Sequence, residues 1–147
     1  MRLLGLMMLA LPLAAAEPDW QTLEPYALSL LQRFIQIPSI NPPADTKRAA
    51  EFMKAELEAV GIAVKLYDTG DGKLVNLVAR IPGRDKSKKP LLLLNHLDVV
   101  PVDRKAWGTV DPFSGALKDG FIWGRGTLDM KGIGVMHMMA MITLKKA

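Results

Sequence analysis

The chain contains no cysteine in 147 residues and only two histidines. Without cysteine it has no disulfide framework, no thiolate metal ligand and no thiol nucleophile. It also lacks a Gly-Lys-Ser/Thr sequence and any Gly-x-Gly-x-x-Gly, so the glycines at 124, 126, 132 and 134 do not build a nucleotide phosphate loop. The excess of one charge sign is small. The net charge of +4, reduced by one if Arg2 is removed with a leader, is too small to argue for nucleic acid. The basic cluster Arg84, Lys86, Lys88 and Lys89 sits between Pro82-Gly83 and Pro90 with no interleaved aromatic residue, which reads as a solvated turn. No internal repeat or low-complexity segment is evident. The apolar run Leu3–Leu13 is shorter than the roughly 20 residues that a membrane span requires.

That run has another reading. Met1-Arg2 supplies a minimal positive region, the run follows, and Ala14-Ala15-Ala16 offers a small-residue cleavage site before Glu17. Residues 1–16 are therefore expected to be a signal peptide, and 17–147 the mature segment. The protein would then be secreted or periplasmic, with no stable membrane association after processing.

The rest of the chain reads as alternating helices and strands. Leu23, Ala27, Leu30, Leu31 and Phe34 share one helical face over 23–36, with Thr22 as its cap. Asn41-Pro42-Pro43 breaks the chain. Asp45 then caps a helix with a stripe of Ala49, Phe52, Met53, Leu57 and Val60, closed by Gly61. Ile62–Tyr67 and Leu74–Ile81 read as strands around Gly70-Asp71-Gly72. Leu91–Asn95 reads as a central strand buried on both faces, 107–122 as loop with short strand pieces, and 132–146 as a helix apolar nearly all round.

The chemistry gathers at the end of that central strand. It delivers His96 and, two residues on, Asp98; the C-terminal edge of a buried strand is where open α/β sheets place their ligands. Asp129 follows in the glycine-rich stretch Gly124-Arg125-Gly126-Thr127-Leu128-Asp129-Met130-Lys131-Gly132, just before a helix. One imidazole and two carboxylates begin a zinc or hard-cation site. His137 lies on a helix crowded with Met136, Met138, Met139 and Met141 and reads as a packed side chain, with the methionines as core filling. Arg125 reads as structural, with contact to a substrate carboxylate as the alternative.

His96-Leu97-Asp98-Val99-Val100-Pro101, Trp107, Asp111-Pro112-Phe113 and Gly124-Arg125-Gly126 leading to Asp129-Met130-Lys131-Gly132 resemble the family of two-zinc aminoacylases and carboxypeptidases. That family includes acetylornithine deacetylase, succinyl-diaminopimelate desuccinylase, and di- and tripeptidases. Pro38-Ser39-Ile40-Asn41-Pro42-Pro43 extends the resemblance more weakly toward the N-terminus. The resemblance implies an α/β fold: the N-terminal portion of a zinc-peptidase-like catalytic domain, a mixed sheet flanked by helices, incomplete. It implies His96 as a ligand to one zinc, Asp129 as the carboxylate bridging two, and Asp98 as the catalytic-site residue holding the second ring nitrogen of His96. It also implies a cis peptide between Asp129 and Met130.

The implied activity is hydrolysis of amide or peptide bonds in a small peptide or N-acyl amino acid. The cofactor would be two zinc ions, with cobalt or manganese as possible substitutes. In that family a glutamate acts as general base some tens of residues beyond the bridging aspartate, and further ligands and a dimerisation domain follow. The 147 residues are accordingly expected to be inactive alone, with a homodimer formed only by a full-length parent. The alternatives are a catalytically dead scaffold and a truncated product without independent activity.

Overall fold

The structure, a computed structural model, describes residues 17–147, and the signal peptide expected at 1–16 lies outside them. Helix α1 runs Trp20–Ile35 and buries Leu30, Phe34 and Ile35. It begins three residues before its apolar stripe: Asp19 is the N-cap residue, and Thr22, expected as the cap, instead donates its hydroxyl to Asp19 Oδ2 at 2.6 Å. Helix α2, Lys47–Glu58, buries Ala49, Ala50, Met53 and Leu57. Asp45 accepts the Lys47 N–H at 3.2 Å, as an acid beside a helix start should. Thr46 at the N-cap turns elsewhere: its hydroxyl oxygen accepts the Val75 N–H at 2.9 Å and so fastens α2 to the following hairpin. Gly61, at φ +75°, ends the helix in a conformation that side chains disfavour.

The hairpin joins β1 (Ala63–Asp68) to β2 (Val75–Arg80), antiparallel, with Ala63 opposite Arg80 and Asp68 opposite Val75. Two aspartates shape its turn. Asp68 Oδ1 accepts from the N–H groups of Gly70 and Gly72, and Asp71 Oδ1 from those of Lys73 and Leu74. Short strands β3 (Ala116–Lys118) and β4 (Phe121–Trp123) form a second antiparallel hairpin. A wide turn at Thr127–Lys131 leads into α3, Gly132–Lys146, which buries Gly134, Val135, Met138 and Ile142. Leu30, Phe34, Met53, Leu57, Val135, Met138 and Ile142 make one core between the three helices, with Phe34 stacked on Phe52 at 5.4 Å. Among the described residues no helix is long and apolar enough to cross a membrane.

The central strand is the expectation that the structure corrects. Leu91–Asp98 forms no strand pairing, and Leu91, Leu92 and Leu94 are 86%, 78% and 76% exposed. Four branched apolar residues favour a strand, but a strand needs backbone partners, and among the described residues β2 is paired only with β1. The parallel part of the expected mixed sheet is therefore a single bridge, Ile40 to Val99, in which the Asn41 N–H donates to Val99 O at 2.8 Å and the Val99 N–H to Ser39 O at 2.9 Å. That bridge sets the position of the residues just before it, His96 and Asp98.

Candidate metal centre

The segment carrying His96 is held at three points. Ser39, fully buried, donates its hydroxyl to Leu97 O at 2.6 Å. Asn41 donates its side-chain amide to Asp98 Oδ2 at 2.8 Å. Asn95 meets the His137 ring, with Oδ1 and Nδ1 3.2 Å apart, which ties the segment to α3. Sequence reasoning gives none of these three residues a role in the site. Ser39 and Asn41 lie in the Pro38–Pro43 stretch, but hydrogen bonds across 58 and 57 residues leave no periodic signal.

Asp129 is positioned from the opposite side. Gly126 sits at φ +86°, and a side chain there would place its Cβ 2.5 Å from Val99 Cγ1. The Lys131 N–H closes the turn onto Gly126 O at 2.7 Å. The Lys131 side chain then runs inward, 1% exposed, and its ammonium donates to Phe34 O at 2.9 Å and Ile37 O at 2.6 Å. Those carbonyls lie at and just beyond the end of α1, where the helix dipole favours a cation. Burial lowers the Lys131 pKa to about 8. The peptide between Asp129 and Met130 is cis, as the resemblance implies.

The two sides meet at one contact. His96 Nε2 and Asp129 Oδ1 are 2.9 Å apart. The other ring nitrogen, Nδ1, lies 2.9 Å from the Asp98 backbone carbonyl and 3.3 Å from the Asp98 carboxylate. Asp98 meets the ring chiefly through its main chain, while its carboxylate is engaged by Asn41. A carbonyl cannot donate, so the Nδ1 nitrogen carries the proton and Nε2 presents a lone pair to Asp129. Two acceptors facing each other at this distance require a proton or a cation between them. Burial pulls the His96 pKa down, but the hydrogen bond to Asp129, the Asp98 carbonyl and both carboxylate charges outweigh it, so the pKa is raised above the ordinary imidazole value.

The donor chemistry fits zinc. Bond lengths near 2.0–2.2 Å at a tetrahedral angle put two ligand atoms about 3.3–3.6 Å apart, so the 2.9 Å pair needs to open by about half an ångström. The donor count is incomplete: among the described residues no three His, Cys, Asp or Glu side chains gather to hold a metal. His137 does not join the pair, because its ring is directed to Asn95. His96, Asp98 and His137 line a cavity of about 590 Å³ between β2 and the Leu92–Asp98 segment. Asp129 lines a second one, of about 820 Å³. The contact therefore stands between two spaces of the size that small ligands occupy.

Residues 92–147 match the family described as Peptidase family M20/M25/M40. Over those residues the chain resembles that peptidase family. It is 30% identical to aminoacylase-1 of Sus scrofa over 120 residues, covering 81% of this chain and 29% of that protein. It is 38% identical to succinyl-diaminopimelate desuccinylase of Methylorubrum extorquens over 117 residues, 77% of this chain and 29% of that protein. A shorter stretch of 62 residues is 52% identical to the N-fatty-acyl-amino acid synthase/hydrolase of Bos taurus, 42% of this chain and 11% of that protein. The fold resembles human carnosine dipeptidase 1, with a TM-score of 0.64 and 21% identity over 89% of this chain and 32% of that one. The chain thus has the α/β fold of an M20 peptidase domain over part of its extent, and it spans less than a third of the length of the relatives it matches.

Proposed function

We propose that this protein takes part in metal-dependent hydrolysis of amide or peptide bonds, with His96 and Asp129 as ligands to zinc and Asp98 as the group that orients His96. The observation that carries this reading is the 2.9 Å approach of His96 Nε2 and Asp129 Oδ1, which brings a nitrogen and an oxygen donor together where a proton or a metal cation can sit between them. The relatives are hydrolases of amide bonds by name: an aminoacylase, a desuccinylase and a dipeptidase. Zinc bound here would supply a water of lowered pKa and polarise the scissile carbonyl. The chain's own residues do the positioning. Ser39 and Asn41 hold the His96 segment, the Asp98 carbonyl fixes the tautomer, and Lys131 anchors the turn that presents Asp129.

In this reading the pair of zinc ions, for which cobalt or manganese can substitute, takes its remaining ligands and its general base from the part of the relatives' length that these residues do not span. The substrate is a small peptide or an N-acyl amino acid. Export through a leader at 1–16 and homodimerisation of a longer protein are parts of the same proposal.

Zinc titration of the chain followed through the His96 imidazole resonances tests the site. Zinc is expected to shift them, and Asp129→Ala to abolish the response while leaving the rest of the spectrum unchanged. An undiminished response in Asp129→Ala would rule out the shared site.

A further inference from the structure

Arg125 carries a charge that nothing else in the described fold answers. Among the described residues its guanidinium enters no ion pair, and its Nε is the one buried side-chain polar atom without a hydrogen-bond partner. Its backbone is nevertheless fixed. The Arg125 N–H donates to Pro112 O at 2.7 Å. Gly124 and Gly126 flank it so tightly that a Cβ on either would meet Ile35 or Val99 at about 2.5 Å. The guanidinium lies 5.7 Å from the centre of the Trp107 ring. An arginine stacked on an aromatic face is pre-organised, and its in-plane N–H fork stays available to a planar anion.

The surroundings specify the anion. Arg125 and Trp107 line the cavity of about 820 Å³, whose other walls include Leu31, Phe121 and Trp123 and whose rim carries Asp129. No ion pair links Asp129 to the arginine among the described residues. The cavity therefore offers one cationic fork, aromatic and aliphatic walls, and the candidate metal ligand. That combination suits a molecule with a carboxylate at one end, an apolar group beside it and a reactive bond within reach of Asp129.

We propose that Arg125, held by Trp107, is the carboxylate subsite for an N-acyl amino acid or peptide, with the apolar walls taking its side chain or acyl group. Naming the ligand an amide substrate rests on the hydrolase reading above; the recognition of a carboxylate does not. The ligand binds through its carboxylate to the guanidinium edge, and the amide then lies toward the His96–Asp129 pair.

The test uses the metal-free 147-residue chain, with N-acetyl-leucine and its uncharged analogue N-acetyl-leucine amide as probes. Binding is followed by NMR at the Arg125 Nε–H and the Trp107 indole N–H. The acid is expected to bind at least about tenfold more tightly than the amide, the gain of one charge-assisted contact. Arg125→Met should erase that preference, and Arg125→Lys, which keeps the charge but not the fork, should retain part of it. His96→Ala should leave the preference intact while abolishing the zinc response, so the subsite and the metal reading stand or fall separately. Equal binding of acid and amide, or no binding of the acid at tens of millimolar, would overturn the proposal. So would a preference that survives Arg125→Met or disappears in His96→Ala.

Discussion

Replacing Lys131 with methionine separates two opposing effects of burying an ammonium group. Desolvation lowers its pKa from 10.5 to about 8. Below pH 8 the lysine is charged in both folded and unfolded states. Between pH 8 and 10.5 the folded state has released a proton that the unfolded state still holds, so stability rises with pH across that window. At about 1.4 kcal/mol per pH unit the rise amounts to about 3 kcal/mol. The methionine variant lacks it. At pH 7 the variant also leaves Ile37 O without the donor it has at 2.6 Å, whereas Phe34 O keeps the Ile37 N–H at 3.2 Å. An orphaned carbonyl costs about 1–3 kcal/mol, partly offset by relief of the buried charge. The expected result is a modest stability difference at pH 7 that widens by about 3 kcal/mol toward pH 10.5. Urea unfolding followed by tryptophan fluorescence at stepped pH measures it. Tyr26, whose pKa burial raises, is present in both proteins and cancels in the difference. Parallel pH profiles, or a gap that closes as pH rises, would refute the reasoning, because the charged form would then be the one that stabilises the fold.

Zinc binding should weaken as pH falls below the raised His96 pKa, approaching about tenfold per pH unit, because the metal must displace the proton between His96 and Asp129; calorimetry across pH checks this, and a flat profile would place the metal elsewhere. Without metal, the same contact contributes stability that is present below the ordinary imidazole pKa and is lost as pH rises through the raised value, so His96→Ala should reduce stability at pH 5 and leave it nearly unchanged at pH 9 in thermal melts. Gly126→Ala combines a left-handed backbone with a Cβ 2.5 Å from Val99 and should destabilise by about 2–5 kcal/mol in urea unfolding, with loss of the zinc response. Phe34→Ala, which removes a fully buried ring stacked on Phe52 and covered by the Lys131 ammonium, should cost about 3–5 kcal/mol by the same assay.

The local chemistry of the chain was legible before the fold was known. Helices α1 and α2 follow from apolar residues at helical spacing, and the β1–β2 hairpin from alternation around Gly70-Asp71-Gly72, because each rests on contacts within a few residues. His96, Asp98 and Asp129 stood out because their spacing and flanking glycines match a family pattern. Tertiary structure decided the rest. Whether Leu91–Leu94 becomes a strand depends on neighbouring backbone, and a run of leucines does not specify that neighbour. That Asp98 holds His96 mainly by its carbonyl, that Asn41 takes its carboxylate, and that Lys131 reaches back 97 residues to the end of α1 are contacts between distant segments. Hydrogen bonds of that kind are set by how the elements pack. The sequence by itself determined which groups could do chemistry, and only packing decided which of them meet.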